Sequence, residues 1–251
     1  MFFKKELKRI RITKPILILG LPGIANIARI SSDFLIQTLK AKKIATYYSH
    51  NFPALVVIND DSTVEIPTID IYHTKKSDQD IIFVIGNMQP IEEHAYEFCE
   101  RLLKDYKPTK IITIGGIGAN TKQHDKKIHL TTNNKKIFKQ MEKYDLIADG
   151  NETVSMILGM TGLLIGVARL HNIDGISLLA ETSTDAEYLG LHEARNVLEI
   201  LMDYMNIKID LNKLGKEAEV YQKELMKRKV TEDTLKDYYG KLTEPNTNYI
   251  G

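Results

Sequence analysis

Apolar residues along the chain fall into runs of two kinds. Ile16–Leu19, Asp80–Gly86 (DIIFVIG), Lys110–Gly116 (KIITIGG) and Ile173–Leu179 are short, almost continuous, and closed by turn residues or a polar stretch. That pattern predicts central strands of a parallel sheet covered on both faces. Between them the spacing changes to three and four. Ile27, Ile30, Phe34, Leu35 and Leu39 predict a helix over Ala25–Leu39, and Ile91, Ala95, Phe98, Leu102 and Leu103 predict another behind Pro90. Ala186–Met205 is amphipathic in the same way. Val154–Leu170 reads as a helix capped by Asn151, with Glu152 at its positive end and Gly159, Gly162 and Gly166 near one face for close backbone approach. Ala45–Tyr48, Leu55–Ile58, Thr68–Thr74 and Ile128–Thr131 predict shorter strands, and Lys135–Tyr144 a short helix. Strand, turn and helix recur about four times, which predicts an α/β fold: a three-layer α/β/α sandwich with a mostly parallel sheet.

After about residue 206 the character changes. Leu211, Leu214, Ala218, Tyr221 and Leu225 form a narrow stripe among Lys and Glu, and a short helix restarts through Leu235, Tyr238 and Leu242. The expected organisation is a core domain over 1–206, a C-terminal helical extension over 207–243 and a flexible polar tail over 244–251.

Composition narrows the function classes. The 251 residues are 43% hydrophobic, enough for one large core. Lys and Arg number 34 against 33 Asp and Glu, so no net field recruits nucleic acid or an anionic membrane. The single cysteine, Cys99, excludes an internal disulfide within one chain and fits a reducing cytoplasm. The N-terminal MFFKKELKRIRI is too charged for a secretory signal, and Val154–Leu170 is too short and polar for a membrane span.

The candidate chemistry is sparse. Gly20-Leu21-Pro22-Gly23 lies between a strand and a helix, where a phosphate cradle would sit, but Pro22 removes one amide. Gly115-Gly116-Ile117-Gly118 is similar, and both sets also answer to the backbone demands of a tight turn. His124 and His129 flank a Lys pair with no third ligand, and read as surface loop histidines. Cys99 falls on the inner side of its helix beside Phe98 and Leu102. Glu181, Thr182, Ser183 and Asp185 end a buried strand and are the best enzymatic case. No base, nucleophile and orienting group can be named among them.

Five segments in order, GLPGIAN (Gly20–Asn26), IGNMQP (Ile85–Pro90), TIGGIGA (Thr113–Ala119), GMTGLLIG (Gly159–Gly166) and LLAET (Leu178–Thr182), resemble the archaeal members of the proteasome assembly chaperone family. The resemblance spans roughly residues 14–205. It implies a fold similar to purine nucleoside phosphorylase without that enzyme's active site; on the residues themselves, no cofactor and no metal are expected. It also implies a homo-oligomer whose partners are 20S proteasome α subunits or a related adaptor. Family members dock through a C-terminal hydrophobic–Tyr–any tripeptide. Here Tyr249 takes the hydrophobic place, Ile250 stands where Tyr belongs, and Gly251 carries the carboxylate. Two other readings stay open: a nucleoside phosphorylase or hydrolase needing Arg29 beside Glu181 or Asp185, and an oligomeric scaffold with no proteasome contact.

Overall fold

The computed structural model describes residues 1–50, 52, 55–58, 61–118, 127–148, 155–185 and 188–214. In chain order the described elements begin with β1 (Phe2–Glu6), β2 (Ile16–Gly20), α1 (Ile27–Thr38) and β3 (Lys42–Ser49). The two-residue strands β4 (Val57–Ile58) and β5 (Val64–Glu65) follow, then β6 (Ile69–Lys76), β7 (Gln79–Gly86), α2 (Glu92–Tyr106) and β8 (Lys110–Gly118). The remainder are β9 (Ile128–Thr132), α3 (Lys135–Met141), β10 (Ile147–Ala148), α4 (Met160–Leu170), β11 (Asp174–Thr182) and α5 (Leu191–Tyr204).

The sheet runs β1-β3-β6-β7-β2-β8-β11-β9-β10. The apolar runs fill its centre. β7, β2, β8 and β11 are mutually parallel, with Ile16 opposite both Ile81 and Lys110, and Ile112 opposite Ile176. The α/β class stands, with its parallel character concentrated here. The β1–β3, β3–β6, β6–β7 and β11–β9 pairings are antiparallel, so the sheet is mixed rather than mostly parallel. For β6 and β7 the reason is local: they are joined by a tight turn at Ser77-Asp78, both in the left-handed region, which allows only a hairpin.

Helices cover both faces. α2 packs on α4 and α1 on α5. Leu17, Leu19, Ile82, Val84 and Ile111 share one core with Phe98, Leu102, Leu164 and Ala168. Alternation along the strands turns Ile18 and Phe83, also fully buried, to the opposite face. Phe98 anchors the edge of this core, 4.6 Å from Phe2 and edge-on to Tyr47 at 5.6 Å. That contact fixes β1, a strand the charged FFKKE pattern does not announce.

Two helices start later than their periodicity predicts. α4 begins at Met160, not near Val154, because Gly159 has φ 74°, outside the helical region. Asn151 and Glu152 lie outside the described residues. Of the three glycines expected at a close approach to a strand or neighbouring helix, Gly162 is crowded instead by the chain just before α4, where an added Cβ would meet the Ile157 carbonyl at 2.5 Å. Gly166 faces open space. α5 begins at Leu191 rather than Ala186.

Contacts divide the chain into a unit of Met1–Leu211 and a second of Asn212–Gly251. Of the second, residues 215–251 lie outside the described residues, and with them most of the expected helical extension and the tail residues Tyr249, Ile250 and Gly251. No described helix is long and apolar enough to cross a membrane.

Candidate functional site

Ligands of open α/β sheets bind beyond the carboxyl ends of the parallel strands. Here that end is built from the turn after β2, the β7–α2 connection, the last residues of β8 and β11, and the start of α4. The turn after β2 does not open into a phosphate cradle. It continues as a single 3₁₀ turn, Ile24–Asn26, with Ala25 and Asn26 at φ 51° and 53°. Left-handed backbone at alanine is costly and persists only where the surroundings hold it. The surroundings are on either side. A Cβ at Gly116 would stand 2.8 Å from the Ile24 carbonyl oxygen, so β8 carries glycine because the turn lies directly on it. The Gly190 amide donates to the Ala25 carbonyl at 2.9 Å. The chain itself covers the strand end.

Gln89 joins the three segments. Its side-chain amide donates to the Pro22 carbonyl at 2.6 Å, and its Oε1 accepts from the Met160 amide at 3.2 Å. It thereby satisfies one of the free N–H groups at the start of α4. Gln89 lies inside the IGNMQP segment, yet no sequence pattern marks its role, since both its partners are far away in the chain.

The charged residues of the enzymatic reading have other partners. Arg29 donates from Nη1 to the Gly86 carbonyl and from Nε to Asp33, each at 2.6 Å. Glu181 is within 2.9 Å of His129 Nε2 and 4.0 Å of Lys127 Nζ. His129 is fully buried, which corrects the expectation of a surface loop histidine; His124 lies outside the described residues. The Ser183 hydroxyl accepts from the Asp185 amide, a local turn contact. Thr182 and Tyr188 both donate to Glu193. Burial, and then the neighbouring Glu193 carboxylate, push the Tyr188 hydroxyl up to about 12. Cys99 is buried 4.0 Å from the Met160 sulfur, and burial followed by Glu100 pushes its thiol up to about 12. Both values are opposite to what a nucleophile requires. Among the described residues no three His, Cys, Asp or Glu gather as a metal set.

Exposed apolar residues are the other feature of this molecule. On the β4–β5 hairpin Ile58 lies opposite Val64, so Val56, Ile58, Val64 and Ile66 share one face, and all four are exposed. Near the strand ends Ile24, Ile91, Met156 and Leu158 are also exposed.

Comparison with known proteins places this architecture. The chain is 29% identical over 244 residues to the uncharacterized protein MJ1210 of Methanocaldococcus jannaschii, covering 94% of this chain and 92% of that one. The crystal structure of Pyrococcus furiosus PbaB, an archaeal proteasome activator, is similar with a TM-score of 0.79 and 27% identity. The match covers 91% of this chain and 98% of PbaB. That of Pyrococcus furiosus PbaA, an archaeal homolog of proteasome-assembly chaperone, shares the fold with a TM-score of 0.72 at 22% identity, over 93% of this chain and all of PbaA. The PAC2 family model matches residues 17–229, from the first central strand to beyond α5. On that match the chain belongs to the PAC2 family.

Proposed function

We propose that the chain is a non-enzymatic, proteasome-assembly-chaperone-like subunit that forms a homo-oligomer and binds 20S proteasome α subunits or an associated adaptor. The observation that carries this reading is the likeness to PbaB, which extends over nearly the whole of both chains. The covered end of β2 and the engagement of Arg29 and Glu181 with other partners support a fold used for binding rather than for catalysis. Self-association would cover the β-branched face of Val56, Ile58, Val64 and Ile66; a two-stranded hairpin has little stability of its own in water. Tyr249, Ile250 and Gly251 form the proposed docking tail.

The test is retention of purified 20S α subunits by the immobilised full chain and by one ending at Asn248. Retention by the full chain alone supports docking through the tail. Equal retention moves the contact to the rest of the chain, and retention by neither overturns direct binding.

A further inference from the structure

Gln89 does more than close the strand end. Its side chain is bonded to the Pro22 carbonyl and the Met160 amide, so three segments distant in sequence meet at one point. Each carries an exposed apolar side chain two residues from that junction: Ile24 after Pro22, Ile91 after Gln89, and Leu158 before Met160. Two residues of backbone reach about 7 Å at most. The three side chains therefore belong to one patch rather than to three isolated exposures. Leu158 is 86% exposed and Met156, on the same segment, 77%, the highest values for large apolar residues among those described. Single apolar residues on a surface are ordinary, whereas a contiguous patch with a polar rim marks an interaction site.

The patch is held in place by the fold. Ile24 rests on the end of β8, where an added Cβ at Gly116 would lie 3.2 Å from the Ile24 Cβ. The left-handed Ala25 behind it is fixed by the Gly190 amide. A surface ordered before its partner arrives loses less entropy on binding.

Charge selects the partner. Residues 21–26, 86–97 and 155–163 contain no Lys or Arg, although the chain has 34 of them in 251 residues. Of their acids, Glu97 meets the N-terminal amine and His94. Glu92 and Glu93, exposed in the first turn of α2 beside Ile91, have no cation within 4.0 Å among the described residues. These carboxylates repel an anionic lipid surface or a nucleic acid. They complement an apolar face flanked by Lys or Arg. A helix presents apolar residues and charges on one face at three-four spacing, so it meets the patch and its rim together.

We propose that the patch around Gln89 docks an amphipathic basic helix of a protein partner. Its apolar side chains lie on Ile24, Ile91 and Leu158, and its Lys or Arg side chains stand beside Glu92 and Glu93. This contact goes beyond the proteasome reading, uses none of Tyr249, Ile250 and Gly251, and stands or falls apart from it.

Fluorescence anisotropy of the full chain with a labelled four-turn peptide of leucine and lysine at three-four spacing tests it. The controls are the same peptide with glutamate in place of lysine, and a leucine–lysine peptide with the spacing scrambled. The leucine–lysine helix is expected to saturate one site per chain, and both controls to bind about tenfold more weakly or less. Met156→Ser with Leu158→Ser should weaken binding about fivefold or more through lost apolar burial. Glu92→Lys with Glu93→Lys should weaken it by about tenfold or more through reversed charge at the rim. Leu170→Ser at the far end of α4 and Glu199→Lys on α5, both exposed, should leave it unchanged. Circular dichroism checks the fold of each variant, and if the lysine pair fails to fold, Glu92→Gln with Glu93→Gln must still weaken binding. The proposal is overturned by the absence of saturable binding, by equal binding of either control peptide, by unchanged affinity in either double variant, or by an equal loss in Leu170→Ser or Glu199→Lys.

Discussion

Gln89 and Pro22 are bonded across 67 residues of chain, the Gln89 side-chain amide donating to the Pro22 carbonyl at 2.6 Å. The same side chain receives the Met160 amide, so one residue holds the turn after β2 and the start of α4 together. Gln89→Ala should destabilise the fold by about 1–3 kcal/mol, because it strands two backbone groups at a partly buried position. Gln89→Glu keeps the acceptor and loses the donor, and should fall between Ala and the parent. Urea midpoints at constant slope measure both.

Gly116 and Gly23 separate packing from mere flexibility. An added Cβ at Gly116 meets the Ile24 carbonyl at 2.8 Å and Thr182 at 3.0 Å, whereas one at Gly23 meets nothing within 4 Å. Gly23 is also extended, with φ −163°, which any residue adopts. Gly116→Ala should therefore cost about 1–3 kcal/mol, an overpacking effect. Gly23→Ala should stay within about 0.5 kcal/mol. Thermal melts of the two variants give the comparison; a cradle that needs Gly23 for its conformation would reverse their order.

Acid stability should report on Asp80. Burial disfavours its carboxylate, yet His73 at 2.7 Å and the Thr13 amide at 2.9 Å hold it below the ordinary carboxylate range. A carboxyl depressed in the folded state stabilises fully above its unfolded pKa, about 3.9. That contribution is lost as pH falls through the lower folded value. The stability gap between the parent and Asp80→Asn should thus narrow as pH drops below about 4. Denaturant melts at a series of pH values show it, and a gap that widens on acidification would contradict the assignment.

Cys99 should resist thiol–disulfide exchange. With its thiol pushed up to about 12 and its side chain buried, the thiolate is scarce and unreachable at pH 8. Reaction with a disulfide reagent should be slow in buffer and complete within the mixing time in denaturant. Prompt reaction of the native chain would mean that α2 opens.

The central strands were legible because burial on both faces leaves a continuous apolar run, as in Ile16–Leu19 and DIIFVIG. β1 was not. It is an edge strand whose FFKKE buries only Phe2, so most of its pattern is solvent pattern. Val154–Leu170 read as one helix because apolar spacing cannot show where the backbone turns left-handed, at Gly159. His129 read as a loop residue because its partner, Glu181, comes from another strand 52 positions later. Arg29 lies in the first turn of α1, and its bond to Gly86 depends on β7 lying alongside, which only the sheet order reveals. Local periodicity carried the elements; the pairings at the strand ends needed the fold.

The most direct test of the account is co-sedimentation of the full chain with assembled 20S proteasome in an analytical ultracentrifuge. The account predicts that part of the chain moves at the rate of the larger particle and that the rest sediments as a homo-oligomer. Independent sedimentation of chain and proteasome at every ratio tried would contradict it.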